Sequence, residues 1–123
     1  MPSLKKIHVD GGIYNASLYG QYGQGYAKIN NSPTHRYEIR LPSFENTNNE
    51  AELFALLCGV VEIAKYKGIK IICSDSEYVV KTVNGEFKTK EPRLNLMVHA
   101  LRTLTTYYAI EIKWISREKN YAT

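Results

Sequence analysis

No apolar run in this 123-residue sequence approaches the roughly 18 residues that a membrane helix requires, so no membrane association is expected. The opening residues, Met1-Pro2-Ser3-Leu4-Lys5-Lys6, lack the long apolar centre of a signal peptide. Cysteine is scarce. Cys58 falls in a helical pattern and Cys73 in a strand pattern, and both read as small buried hydrophobes. Neither has zinc spacing with a histidine pair, and no disulfide is expected in the cytoplasmic setting that these absences suggest. Repeats, low-complexity tracts and linkers are missing too. The expectation is one domain over residues 1–123, with a core large enough to fold alone.

What is present is ordinary in amount and informative in arrangement. An apolar content of 44% excludes wholesale disorder. A formal net charge of +4 and a pI of 9.0 would attract a polyanion, although charge alone equally suits solubility.

Residues 5–13 read as a strand with Ile7 and Val9 on one face. Gly20 to Ile29, rich in Gly and Tyr, reads as a second strand, and Asn30-Asn31-Ser32-Pro33 is turn chemistry. Residues 34–41 alternate, with Tyr37, Ile39 and Leu41 on one face, so a third strand completes an antiparallel meander. Thr47-Asn48-Asn49-Glu50 has capping-box spacing. Behind it Leu53, Leu56, Leu57, Val60, Val61 and Ala64 form a helical stripe, with Gly68 as its stop. Residues 69–74 read as a strand buried on both faces. Ser76 to Val83 reads as a short helix ending at Asn84-Gly85, and Glu91 to Tyr107 as a longer one striped by Leu94, Met97, Val98, Leu101 and Leu104. Ala109 to Ile115 is a last strand with Ile110, Ile112 and Trp114 inward. The order βββαβααβ makes the later strands parallel neighbours and lets strand 4 lie beside strand 1.

Three acids stand at meaningful places in this scheme. Asp10 and Asp75 each end a β-branched apolar run, and Glu52 lies near the start of the first helix. Strand ends and a helix N-terminus can converge on one edge of an α/β sheet. Carboxylates gathered there would repel by about 3 kcal/mol per pair at ~5 Å with an effective dielectric of 20. A divalent cation with hard oxygen ligands is the usual offset, and this points to a metal-dependent phosphodiesterase.

Five segments then share one pattern: Asp10-Gly11-Gly12; Thr47-Asn48-Asn49-Glu50-Ala51-Glu52-Leu53; Ser74-Asp75-Ser76-Glu77-Tyr78-Val79-Val80; Val83-Asn84-Gly85-Glu86-Phe87-Lys88; and Trp114-Ile115-Ser116-Arg117-Glu118-Lys119-Asn120. In that order, over nearly the whole chain, they resemble the ribonuclease H type 1 family. The resemblance implies a ribonuclease H-like α/β fold, a five-stranded mixed sheet with helices on its faces. It also implies hydrolysis of the RNA strand of an RNA–DNA hybrid with two Mg2+ ions, or Mn2+ in their place. Asp10, Glu52 and Asp75 match the family's first three catalytic, metal-holding carboxylates, with Asp10 bridging both ions. Glu50 suits the helix cap instead. Gly11, Gly12, Asn48, Asn49 and Ser76 match the positions that read the 2′-hydroxyl, and Asn15 and Thr47 the phosphate pocket for the DNA strand. Glu77 departs from the common glutamine and, when ionised, can only accept hydrogen bonds.

The family's sequence runs on past Arg-Glu-x-Asn-x-x-Ala/Thr to an aspartate and a final helix, whereas Arg117 to Thr123 stops one residue short. The resemblance therefore implies a domain without the C-terminal helix and fourth carboxylate. An alternative reading is a hybrid- or duplex-binding module with weak or no catalysis. Residues outside the five segments mostly have plainer readings. His8 shares a strand face with Asp10 but suits the core, Trp114 suits the core, and the ten tyrosines fit strand propensity. Arg117 could contact phosphate or simply lie on the surface.

Overall fold

The structure is a computed structural model that describes residues 6–14, 22–30, 32–42, 48–65 and 68–122. Strands β1 (Lys6–Tyr14), β2 (Tyr22–Ile29) and β3 (Ser32–Pro42) precede helix α1 (Asn48–Lys65). They are followed by β4 (Ile71–Ser74), α2 (Glu77–Val83), α3 (Pro92–Tyr108), β5 (Glu111–Trp114) and a 3-10 turn at Arg117–Lys119. All five strands form one sheet in the order β3-β2-β1-β4-β5. The β1–β2 and β2–β3 pairs are antiparallel, and the β1–β4 and β4–β5 pairs parallel. The expected βββαβααβ order and the adjacency of strands 1 and 4 are both observed.

The central strand β1 alternates as a strand must. Ile7 and Val9 are buried toward α1, and His8 lies on the opposite side, where the ring of Tyr121 covers it at 4.8 Å. Helix α1 packs over β1, β2 and β4, α2 reaches β5, and the three helices touch one another, so they gather on one side of the sheet. Ile7, Val9, Leu53, Leu56, Ile72 and Leu101 are almost wholly buried in the core between them. Each contributes about 1.5–3 kcal/mol relative to exposure.

Three details differ from the sequence reading. Within the stripe of α1, Val61 is 50% exposed and Ala64 is also exposed, while Ile63 is buried. Contact with the sheet on one flank and α3 on the other turns the buried arc toward Leu53, Leu56, Val60 and Ile63, away from Val61 and Ala64. Ser32 and Pro33 belong to β3, not to the preceding turn. Asn30 makes the turn, at φ 53°, and its backbone N–H and side-chain oxygen clasp the His8 carbonyl and N–H at 2.9 and 2.8 Å. Ala109 is no strand residue: at φ 56° it caps α3, and its N–H reaches back to the helix's last carbonyls. The strand accordingly begins at Glu111. Among the described residues no helix is long and apolar enough to cross a membrane.

The segment after β5, polar in sequence, is tied into the core. Asn120 is 6% exposed, and its amide nitrogen donates to the Val9 carbonyl at 2.9 Å while its oxygen accepts from the Ala122 N–H at 2.9 Å. Ala122 is fully buried beside it. Asn120→Ala leaves two buried backbone groups unsatisfied and is expected to cost about 2–3 kcal/mol, readable as a fall in the urea midpoint. Asn120→Asp would set a carboxylate against the Val9 carbonyl, so its deficit should grow between pH 4 and pH 7. Equal midpoints for all three proteins would show that the segment is not docked.

Candidate metal centre

The parallel register brings the first and third acids together. His8 on β1 is level with Cys73 on β4. Two residues further along each strand stand Asp10 and Asp75, where β4 has just ended at Ser74. Glu52 arrives from the early part of α1, and Gly11 lets it approach. A Cβ on Gly11 would lie 2.3 Å from the Ala51 carbonyl oxygen, so only glycine admits the helix at this distance. The Gly11 N–H donates to Glu52 Oε1 at 2.8 Å and fixes that carboxylate over the strand. Asp10, Glu52 and Asp75 each offer a carboxylate oxygen, and these atoms lie within 4.8 Å of one another.

The electrostatics show the strain of the arrangement. Burial, then the charge of Asp75, pushes the Asp10 carboxyl up to about 6, against the lowering influence of Arg117 and Lys28. Burial pushes Glu52 further, to about 8, with Asp10 and Asp75 adding to the rise and the Gly11 hydrogen bond and Arg117 opposing it. The donor set is all hard oxygen, half-buried, and crowded with like charge. A divalent cation fits such a set.

A pH dependence follows. Both groups have folded values above their ordinary ones, so the unfolded chain binds fewer protons between about pH 4 and pH 8. Without metal, stability should be greatest near pH 4 as far as these two groups are concerned, fall as pH rises through 6, and level off above 8. Partial solvent screening limits the total to about 3 kcal/mol. Urea unfolding in chelator across this range measures it. A divalent ion should reverse the trend above pH 6, and a flat profile in chelator would mean that the acids do not feel one another.

The turn carrying Asp75 is held from several sides. Ser74 is fully buried, its carbonyl accepts the Ile115 N–H at 2.9 Å, and its hydroxyl oxygen accepts the Ser76 N–H at 3.1 Å. The indole N–H of Trp114 donates to the Asp75 carbonyl at 3.2 Å. Trp114 is 48% exposed, not inward as strand alternation suggested. It stands at the last position of β5, level with Ser74.

The remaining expected positions separate. Gly12 lies in β1 paired with Tyr26, and the Gly11 N–H is occupied by Glu52. Asn48 and Asn49 begin α1, and Asn49 is half-buried. Ser76 precedes α2, and its hydroxyl makes no capping bond. Arg117 is exposed in the 3-10 turn, near enough to influence both Asp10 and Glu52. Asn15 and Thr47 lie outside the described residues. Sequence reasoning missed Lys28, which pairs with Asp10 across the β1–β2 ladder; the strand register was the signal that could have found it.

An antiparallel meander, a parallel crossover and an acidic triad drawn from β1, the start of α1 and the end of β4 define a ribonuclease H-like domain. Solved structures agree. The N-terminal ribonuclease H domain of a Mycobacterium tuberculosis protein superposes at TM-score 0.69 with 23% identity, covering 96% of this chain and 91% of that one. The ribonuclease H1 of Halobacterium salinarum gives 0.65 with 20% identity, covering 96% and 91%. LC11 ribonuclease H1, isolated from compost and solved in complex with an RNA/DNA hybrid, gives 0.66 with 23% identity, covering 94% and 87%. Residues 38–123 match the reverse transcriptase-like family, and the chain belongs to this ribonuclease H family. Glu52 and Asp75 fall within the matched span. Asp10 precedes it and joins the cluster through the sheet.

Proposed function

We propose that this chain is a nuclease that hydrolyses the RNA strand of RNA–DNA hybrids with the help of divalent metal. The convergence of Asp10, Glu52 and Asp75 within 4.8 Å, in a ribonuclease H-like fold, carries the reading. The LC11 relative, solved with such a hybrid bound, supports the substrate class. Residues 1–123 would act as one domain.

The three carboxylates would hold one or two magnesium ions, with manganese as a substitute. When bound, such ions supply charge stabilisation for the developing phosphorane and lower the pKa of water. The chain's own residues do the rest. Asp10, on the central strand, would hold the metal together with Glu52 and Asp75, whose carboxylate oxygens lie within 4.8 Å of its own. The Gly11 N–H keeps Glu52 turned toward that strand. Arg117 brings positive charge to the cluster's edge, where a scissile phosphate would be drawn in. The Ser76 hydroxyl, uncommitted at the entrance to α2, can exchange hydrogen bonds with a 2′-hydroxyl, as can Asn48, Asn49 and the Gly12 backbone. Lys81 donates to Glu77 Oε2 at 2.6 Å, which engages one of its two carboxylate oxygens.

The test is to incubate labelled hybrid, RNA duplex and DNA duplex with the protein in magnesium and again in chelator. Cleavage of the RNA strand of the hybrid alone, and only with metal, is expected. Equal cutting of all three, or cutting in chelator, overturns the proposal. Tight hybrid binding without cleavage in magnesium would favour a hybrid- or duplex-binding module.

A further inference from the structure

Trp114 is the chain's only tryptophan. Its half-exposed ring does little for the core, yet its one polar atom is committed to the backbone of Asp75 at 3.2 Å. The contact joins residues 39 apart in sequence. It falls where ladder bonding between β4 and β5 ends: Ile115 donates the last backbone bond, to Ser74, and the next carbonyl, that of Asp75, has left the strand. A side chain takes over the task that the sheet can no longer perform. The Ser76 N–H, donated to Ser74 Oγ, shares a peptide unit with the Asp75 carbonyl, so the unit after the Asp75 Cα is held at both its polar atoms, while the Ile115–Ser74 bond holds the unit before it.

We infer that Trp114 is a positioning residue: its indole N–H, bonded to the Asp75 carbonyl, sets the direction from which the Asp75 carboxylate meets a divalent cation. This rests on the metal-binding reading of the triad. An alternative role for an exposed indole beside a nucleic-acid site is stacking on a base. The two roles predict different losses. Positioning weakens metal binding with no nucleic acid present. Stacking weakens only the hybrid.

The variant is Trp114→Phe, which keeps an aromatic ring and removes the donor. Manganese binding to the wild type and the variant is measured by calorimetry without nucleic acid, followed by kcat and KM for hybrid cleavage at fixed metal. Roughly tenfold weaker manganese binding is expected, with kcat reduced at sub-saturating metal and recovered at high metal, and KM for the hybrid within about twofold. Unchanged manganese affinity, or a raised KM alone, overturns the inference and leaves the metal site standing. No manganese binding by the wild type overturns the metal reading and this inference together. A readout on the unaltered protein guards against a variant that fails to fold. The single indole N–H resonance should exchange slowly for a half-exposed group and shift as magnesium saturates. An indole that exchanges freely, or ignores magnesium, also overturns the positioning role.

Discussion

Asp10→Asn is expected to abolish metal-dependent cleavage while making the metal-free protein more stable. On the proposed function, loss of this carboxylate would remove several kcal/mol of metal-borne charge stabilisation from the reaction, on the order of 10^3-fold in rate. Hybrid binding should survive, because it depends on basic and neutral polar groups. In chelator at pH 8 the wild-type Asp10 is ionised against its burial and against Asp75, since its carboxyl titrates near 6. An amide relieves both penalties, worth about 1–2 kcal/mol after screening and roughly 5 °C in Tm. At pH 4.5 the wild-type group is already largely protonated, and the gain should vanish. A lower Tm for the variant at pH 8 in chelator, with an unchanged circular dichroism spectrum, would sink the claim that these acids share one site. Retained cleavage would sink the mechanism.

The second large effect is steric. In Gly11→Ala the new methyl would lie 2.3 Å from the Ala51 oxygen, 2.6 Å from its carbonyl carbon and 2.9 Å from the Glu52 nitrogen. All three are backbone atoms of α1, so no rotamer change can yield. The helix must lift from β1, at a cost of about 3 kcal/mol or more, and Glu52 moves with it. Gly59→Ala provides the contrast. There the nearest atoms are side-chain methyls of Ile72 and Val9 at 3.1 Å, and the helix gains about 1 kcal/mol from losing a glycine, so the net change should lie within about 1 kcal/mol of zero. Denaturant midpoints decide. Similar losses for both variants would mean that the close approach at Gly11 is not what seats the helix.

The elements and their order were legible because apolar periodicity changes cleanly between strand and helix along this chain, and because Pro92 and Asn84-Gly85 mark their boundaries. The triad was legible because each acid follows a recognisable context. Ile7 to Val9 and Ile71 to Cys73 can hardly be anything but central strands, and acids at their ends must meet if the strands are parallel neighbours. Trp114 was misread because alternation says which side of a strand a residue takes, not whether anything covers that side. Val61 and Ala64 were misread for a related reason. The apolar arc of α1 is wider than the surface available to it, and sequence cannot say which edge loses. Asn120 stood in a recognised motif, but its hold on Val9 is a contact between the two ends of the described fold, which no local pattern encodes.

That bond between Asn120 and Val9 spans 111 positions, and it orders events during synthesis. Strand β1 is among the first segments to be made. It can pair with β2, and β2 with β3, almost at once, yet its other edge waits for β4, and the Val9 carbonyl waits for Asn120. At ribosomal speeds of about 5–20 residues per second, the interval is on the order of 10 s. Until β4 follows, the nascent chain carries a meander with the β1 edge open, the kind of surface that recruits holding chaperones or a neighbouring nascent chain. Asp10 sits midway along this waiting strand, just past the stretch that pairs with β4. On the proposed function, the emerging polypeptide would have no complete acidic cluster until α1 and β4 have joined β1, and the Val9 carbonyl would gain its partner later still.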